Sequence, residues 1–303
     1  MKFLNLFVLA SFLCAAPLTA KVKVVTTTED LAALAREVAG DSAEVTSIAR
    51  GYQDPHFVEA KPSYLLKLKK AQLFIQVGLE LETGWAPALL TSARNPGILP
   101  GRPGFMNAAE GCEILEKSAG GVDRSLGDVH PLGNPHYWLN PENGRVIARA
   151  AARRLSAIDP ENSGKYKANL ESFEARLSEK EKEWDASAAA FKGVKVVTYH
   201  NSWPSFARRF GLEVVDFVEP KPGIPPSPAH IHSLIGRIKA EGVRLLIVEP
   251  YFDQKLPEKV AARSGARLVI LPPSVGGEEG IKTYTGLFDR QFELLKSALA
   301  RGK

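Results

Sequence analysis

The sequence predicts an α/β fold of two lobes, each with a mainly parallel sheet flanked by helices, joined by one long rigid backbone helix. Three observations carry this reading. Short apolar runs such as VKVV, QLFIQVG, RLLIVEP and ARLVILPP alternate with amphipathic stretches. Strands that are apolar throughout, rather than at every second position, belong to parallel sheets covered on both faces. The alternation occurs twice, and from Pro141 to about Ala190 the pattern between the two runs is almost wholly helical.

Taken in order, residues 1–20 read as a secretory signal peptide. Lys2 precedes the apolar run FLNLFVLASFLCAA, which ends in the small-residue stretch PLTA before Lys21, so cleavage is expected after Ala20. The run is too short for a membrane span. A periplasmic location follows. Cys14 follows Leu13, where a lipid-attachment site wants Gly, Ala or Ser, so a lipid anchor is not expected. With the leader gone, Cys112 is the single cysteine; no internal disulfide can form, and stability must come from packed cores. Its setting, AAEGCEILEK, reads as that of a buried small residue.

The first lobe is expected over 21–158. VKVVTTTEDLAALAREVAG is a β-branched strand, a Thr-rich turn and an amphipathic helix, with Thr28 or Asp30 near the N-cap. AEVTSIA then reads as strand, PSYLLKLKKA as helix, QLFIQVG as strand and LETGWAPALLTSA as helix, and ENGRVIARAAARRLSAI closes the lobe as a further helix. The linking helix is expected over 159–191. NSGKYKANLESFEARLSEKEKEWDASAAAF keeps apolar residues at helical spacing without a proline, and at ~1.5 Å per residue it would reach roughly 45 Å, enough to brace two lobes. The second lobe, 192–303, repeats the alternation from VKVVTYH to a C-terminal helix through YTGLFDRQFELLKSALA.

The chain's 303 residues and 45% hydrophobic content suffice for two cores. The net charge is +5, and losing Lys2 lowers it by one. Basic residues are spread over helix faces, as in YLLKLKK and ARLSEKEKEW, and form no stripe. This excludes nucleic acid as a partner and gives no support to a membrane-surface role.

Three of the six histidines fall on loops or strand ends: His56 in GYQDPHFVEAKPS, His136 in GNPHYWLNP and His200 directly after VKVVTY. The carboxyl ends of strands in open α/β sheets face the ligand crevice. A proline before His56 and before His136 restricts the backbone that carries each ring. Two histidines come from the first lobe and one from the second, so a shared partner would lie between lobes, and imidazoles suit zinc. Glu249, at the end of RLLIVEP, faces the same cleft.

DPHFVEAKPS, GNPHYWLNP, YHNSWPSFARRFGL and PGIPPSPAHI followed by LLIVEPYFD resemble the zinc and manganese solute-binding proteins of ABC importers, the cluster A-I type, from about Val22 to the C-terminus. The resemblance implies a metal bound between two lobes and delivered to a membrane permease. It carries His56, His136 and His200 over as ligands. Where many members place an aspartate, this chain has Pro272 and Pro273 in LVILPPSVGG, so Glu249 is expected as the fourth donor, with Asp54 or water as alternatives. A histidine at position 200, where manganese members carry a carboxylate, points to Zn2+; Mn2+ or Fe2+ is the runner-up. The implied partners are the permease, the metal ion and a metallochaperone, with the protein itself a monomer.

The other histidines rank lower. His130, in the loop before His136, is an accessory ligand, a capture residue or a plain loop histidine; His230 and His232 lie near a helix start capped by Ser227 and Pro228 and read as structural. Tyr137, Trp138 and Trp203 flank the ligands and either shield the metal or, as aromatic residues beside turns more often do, pack in the core. A zinc-dependent hydrolase is the rival class, but no HExxH helix or nucleophile elbow is present, so the expectation is a binding protein without catalytic residues. An adhesin with a structural metal is a third class. Because a long helix resists bending, release is expected to involve small lobe shifts and loop ordering around His130 rather than wide opening.

Overall fold

The computed structural model describes residues 20–118 and 130–300. The expected leader with Cys14 falls outside them, apart from Ala20.

The first sheet has the order β2-β1-β3-β4, all parallel, from β1 (Val22–Thr26), β2 (Ala43–Ser47), β3 (Leu73–Gln76) and β4 (Phe105–Asn107). The second repeats the pattern as β6-β5-β7-β8, from β5 (Lys195–Thr198), β6 (Glu213–Phe217), β7 (Leu245–Val248) and β8 (Arg267–Ile270). In both, the first strand is flanked by the second and third, so the chain reverses its winding there. That switch opens a crevice at the strands' carboxyl ends. All four residues of β7, LLIV, are buried, as expected for a strand covered on both faces. The edge strand β4 was not expected from the sequence, because three residues carry no periodicity.

Nine helices occur among the described residues, and their ends follow from local chemistry. Pro62 begins α2 (Pro62–Lys70). Asn140 accepts from the Glu142 N–H to cap α4 (Pro141–Ile158), and Ser227 accepts from the His230 N–H to cap α7 (Pro228–Glu241). The helix expected over LETGWAPALLTSA is shorter, α3 (Ala86–Ser92). Its predicted first turn is displaced by a turn in which Leu79 and Glu80 take positive φ of 54° and 69°. The linking helix α5 (Ser163–Ala188) runs 26 residues, roughly 39 Å. A single 3-10 turn, Pro160–Asn162, separates it from α4.

The lobes share a core. One cluster of buried side chains runs from Val24 of β1 and Leu34 of α1 (Glu29–Ala39), through Ile147, Tyr166 and Trp184, to Val196, Phe206 of α6 (Pro204–Phe210) and Phe288 of α9 (Tyr284–Ala300). Toward its start, α5 binds α1, where Asn169 donates to the Val38 carbonyl. Toward its end, Trp184 donates to Asp289 of α9. A seam of polar ties closes the lobes, Val275 N–H to Asp30 and Trp138 Nε1 to the Pro273 carbonyl, and within the second lobe Gln291 donates to the Pro272 carbonyl. At Gly51 an added Cβ would lie 1.9 Å from the Val275 carbonyl oxygen, so only glycine permits the approach. Cys112 is half-buried and free, with its thiol on the Ala108 carbonyl; burial pushes its pKa up to about 12.

Candidate metal centre

The donor set begins with a local device that occurs twice. In Asp54-Pro55-His56, the Asp54 Oδ1 accepts both the His56 backbone N–H, at 2.9 Å, and the ring Nδ1, at 2.7 Å. In Asn134-Pro135-His136, the Asn134 Oδ1 accepts the same two groups at 3.0 and 3.1 Å. Proline between the two residues has no N–H to compete for that oxygen, so an acceptor two positions before the histidine fixes both backbone and ring. The Asn134 amide donates to Glu116 and to the Asn201 carbonyl of the second lobe, which leaves its Oδ1 as the acceptor.

His200, two residues after β5, is fixed from farther away. Its Nδ1 lies 2.7 Å from Glu219, whose other oxygen accepts the Gly223 N–H. In each of the three rings an acceptor holds the Nδ1 proton, so Nε2 keeps its lone pair for a metal. The Nε2 atoms of His56 and His136 are buried without partners.

The three rings meet. Centroids lie 5.3 Å apart for His56 and His136, 5.2 Å for His56 and His200, and 5.4 Å for His136 and His200. One donor atom from each lies within 4.8 Å of the others. A tetrahedral shell with bonds of ~2.1 Å has edges of roughly 3.4 Å, so closing on an ion requires the donor atoms to draw together by up to about 1.4 Å from their 4.8 Å limit. Exposures of 9%, 1% and 6% for His56, His136 and His200 keep water largely out. The Trp138 ring is 5.3 Å from His136, and Tyr137, Trp138 and Trp203 are all buried.

Electrostatics separate the rings. Burial, with the neighbouring His56, His200 and His130, holds His136 well below the ordinary imidazole value. Burial likewise opposes charge on His200, but the Glu219 hydrogen bond and the charges of Glu249, Glu219 and Asp54 outweigh it, and its pKa is raised. For Asp54, burial is outweighed by the bonds and charge of His56, and the pKa falls below 3.8.

The remaining candidates fall in different places. Glu249 directly follows β7 and is fully buried, with Oε1 accepting from Trp203 Nε1 at 3.0 Å and Oε2 without a partner. Burial lifts its pKa to about 7, partly offset by His200. It is not among the mutually close donors, which among the described residues are His56, His136 and His200. His130 is half-buried, its ring 5.4 Å from His56, and burial takes its pKa down to about 4. His230 bonds the Phe217 carbonyl, and His232 is exposed on α7. The positioning roles of Asn134 and Glu219 were missed from sequence. A repeated Asp/Asn-Pro-His signal was available for the first; the separation of 19 residues from His200 to Glu219 hides the second.

Several known proteins are similar to this chain. The family profile described as zinc-uptake complex component A, periplasmic, matches residues 24–298. The manganese ABC transporter substrate-binding lipoprotein PsaA of Streptococcus pneumoniae is 29% identical over 278 residues, covering 88% of this chain and 85% of the relative. The iron ABC transporter substrate-binding lipoprotein MtsA of Streptococcus pyogenes serotype M1 is 28% identical over 271 residues, covering 87% and 84%. A crystal structure of ZnuA is similar with a TM-score of 0.77 at 24% identity, covering 92% of this chain and 99% of that one. The protein FpvC of Pseudomonas aeruginosa in complex with Mn2+ gives 0.76 at 22% identity, covering 94% and 100%.

Proposed function

Because this chain belongs to the family of periplasmic zinc-uptake complex component A proteins, substrate-binding components of metal ABC importers and not enzymes, we propose that it captures Zn2+ outside the inner membrane for delivery to the permease. The observation that carries this reading is the convergence of three buried imidazoles within 4.8 Å, each with Nδ1 held by an acceptor. His56, His136 and His200 are the proposed ligands. Neutral nitrogen donors favour zinc over harder ions that prefer oxygen.

Glu249, expected from the sequence as the fourth donor, is proposed instead to balance the cation's charge from beside His200, since one oxygen is tied to Trp203. Mn2+ or Fe2+ is the second reading, favoured by relatives named for those ions. Residues 21–158 and 192–303 are proposed as the two lobes. The common core and the seam of bonds between them support release by small shifts. No helix among the described residues is long and apolar enough to cross a membrane. Relatives named as lipoproteins count against the expectation that Cys14 stays unmodified, and we propose acylation at Cys14 as an alternative to simple cleavage after Ala20.

Native mass spectrometry of the mature protein with zinc and with manganese tests the reading. Zinc occupancy above manganese, reduced in His200→Ala, is the expected result. Equal occupancy in every sample would remove the zinc assignment.

A further inference from the structure

Three imidazoles leave one corner of a tetrahedral shell unassigned. Building on the three-histidine reading above, we propose that His130 supplies the fourth donor, so that the transported ion is held by four histidine nitrogens and no carboxylate.

Three observations meet at this residue. Its Nε2 is buried without a hydrogen-bond partner, and its ring centroid is 5.4 Å from that of His56; it lies outside the set of donors within 4.8 Å of one another, so it would have to swing inward to complete the shell. Its Nδ1 lies 3.0 Å from the Leu79 carbonyl oxygen. A carbonyl can only accept, so Nδ1 bears the proton and Nε2 presents its lone pair, as in the other three rings.

The turn that offers this carbonyl is unusual. Gly78, Leu79 and Glu80 have φ of 81°, 54° and 69° in succession, a conformation that side chains as bulky as leucine and glutamate rarely adopt. Glu82 anchors it, accepting the Val77 N–H at 2.6 Å, the Gly78 N–H at 3.0 Å and the Thr27 hydroxyl at 2.7 Å. Strain held by the surroundings points to a purpose, and here it aims the Leu79 oxygen at His130. The competing donors are few: Pro272 and Pro273 have no ligating side chain and their carbonyls bind Gln291 and Trp138, while Glu249 has one oxygen tied to Trp203 and the other without a partner, which makes it the one remaining rival. His130 is also the least buried of the four rings. Its nitrogen would set the preference for zinc over oxygen-seeking ions.

The test uses cobalt(II) as a spectroscopic substitute in the full mature protein. X-ray absorption on the unmodified protein should count four imidazoles, and the visible spectrum should show the intense bands of a four-coordinate ion. His130→Ala should bind with three imidazoles and an oxygen donor, and its zinc affinity should fall at least about tenfold while its affinity for manganese changes less. Three imidazoles in the unmodified protein, with cobalt bound, would overturn the His130 assignment and leave the three-histidine reading standing. So would a Glu249→Gln variant that changes the first shell where His130→Ala does not. Failure of the unmodified protein to bind cobalt or zinc would overturn both.

Discussion

Replacing Asp54 by alanine removes the acceptor that fixes His56 while leaving every proposed ligand in place. Two hydrogen bonds disappear, the backbone one at 2.9 Å and the ring one at 2.7 Å. Bonds to a charged group contribute ~1.5–3 kcal/mol and neutral ones about 1 kcal/mol. Asp54 is 22% exposed, so water recovers part of this, and a stability loss of about 1–2 kcal/mol is expected in the metal-free protein. Because the pKa of Asp54 is held below 3.8, that contribution is present at neutral pH and lost as pH falls through the folded value. The effect on metal binding should be larger. Losing a partner that orients a ligating histidine costs ~10–100-fold in affinity, equivalent to about 1.4–2.7 kcal/mol. Asp54→Asn keeps an oxygen of the kind Asn134 offers His136, so it should stay within about tenfold of the unmodified protein. Competition titration of zinc against a chromophoric chelator, with thermal melts of the metal-free proteins, measures both terms. Unchanged zinc affinity in Asp54→Ala, or an Asn variant as impaired as the Ala variant, would refute the positioning argument.

Other consequences are equally concrete. Zinc affinity should fall on acidification as pH drops through the raised pKa of His200, which must lose its proton to ligate. The charged and titratable groups around His200 are Glu219, Glu249, Asp54, His56, His136 and His130; Glu219→Gln should move the midpoint down, and an unmoved midpoint would disprove the attribution. In the metal-free protein the sign reverses: the His200–Glu219 pair stabilises fully below the unfolded histidine value and fades as pH rises through the raised one. Gly51→Ala forces a Cβ against the Val275 carbonyl and should cost about 2–4 kcal/mol, read as a lowered melting temperature; a neutral result would mean that the lobes separate easily. Phe288→Ala should cost about 3–5 kcal/mol, since its buried ring packs against Trp184, Phe206, Phe210 and Tyr284 from three helices.

The parts of the fold that were legible in the sequence are those with sustained periodicity. VKVV, LFIQ and LLIV announce buried parallel strands, and 26 residues without proline announce α5. The three residues of β4 are too few to do so. Leu81 to Trp85 looked helical, but the Glu82 side chain binds the Val77 and Gly78 amides and stabilises a turn instead. At the site, His56 and His136 could be singled out by their prolines, yet the atom that fixes each ring lies one residue farther back, on Asp54 and Asn134. Glu219 reaches His200 and Leu79 reaches His130 only through folding. Such pairings depend on how the loops fold over the strand ends, and no local pattern records them.

The central claim is that rings from distant parts of the chain form one metal shell. A crystal grown with zinc, with anomalous data collected on either side of the zinc absorption edge, addresses it most directly. A single strong peak ~2.0–2.1 Å from the Nε2 atoms of His56, His136 and His200 is the predicted result. A zinc peak elsewhere, or none in crystals that retain these three rings in place, would contradict it.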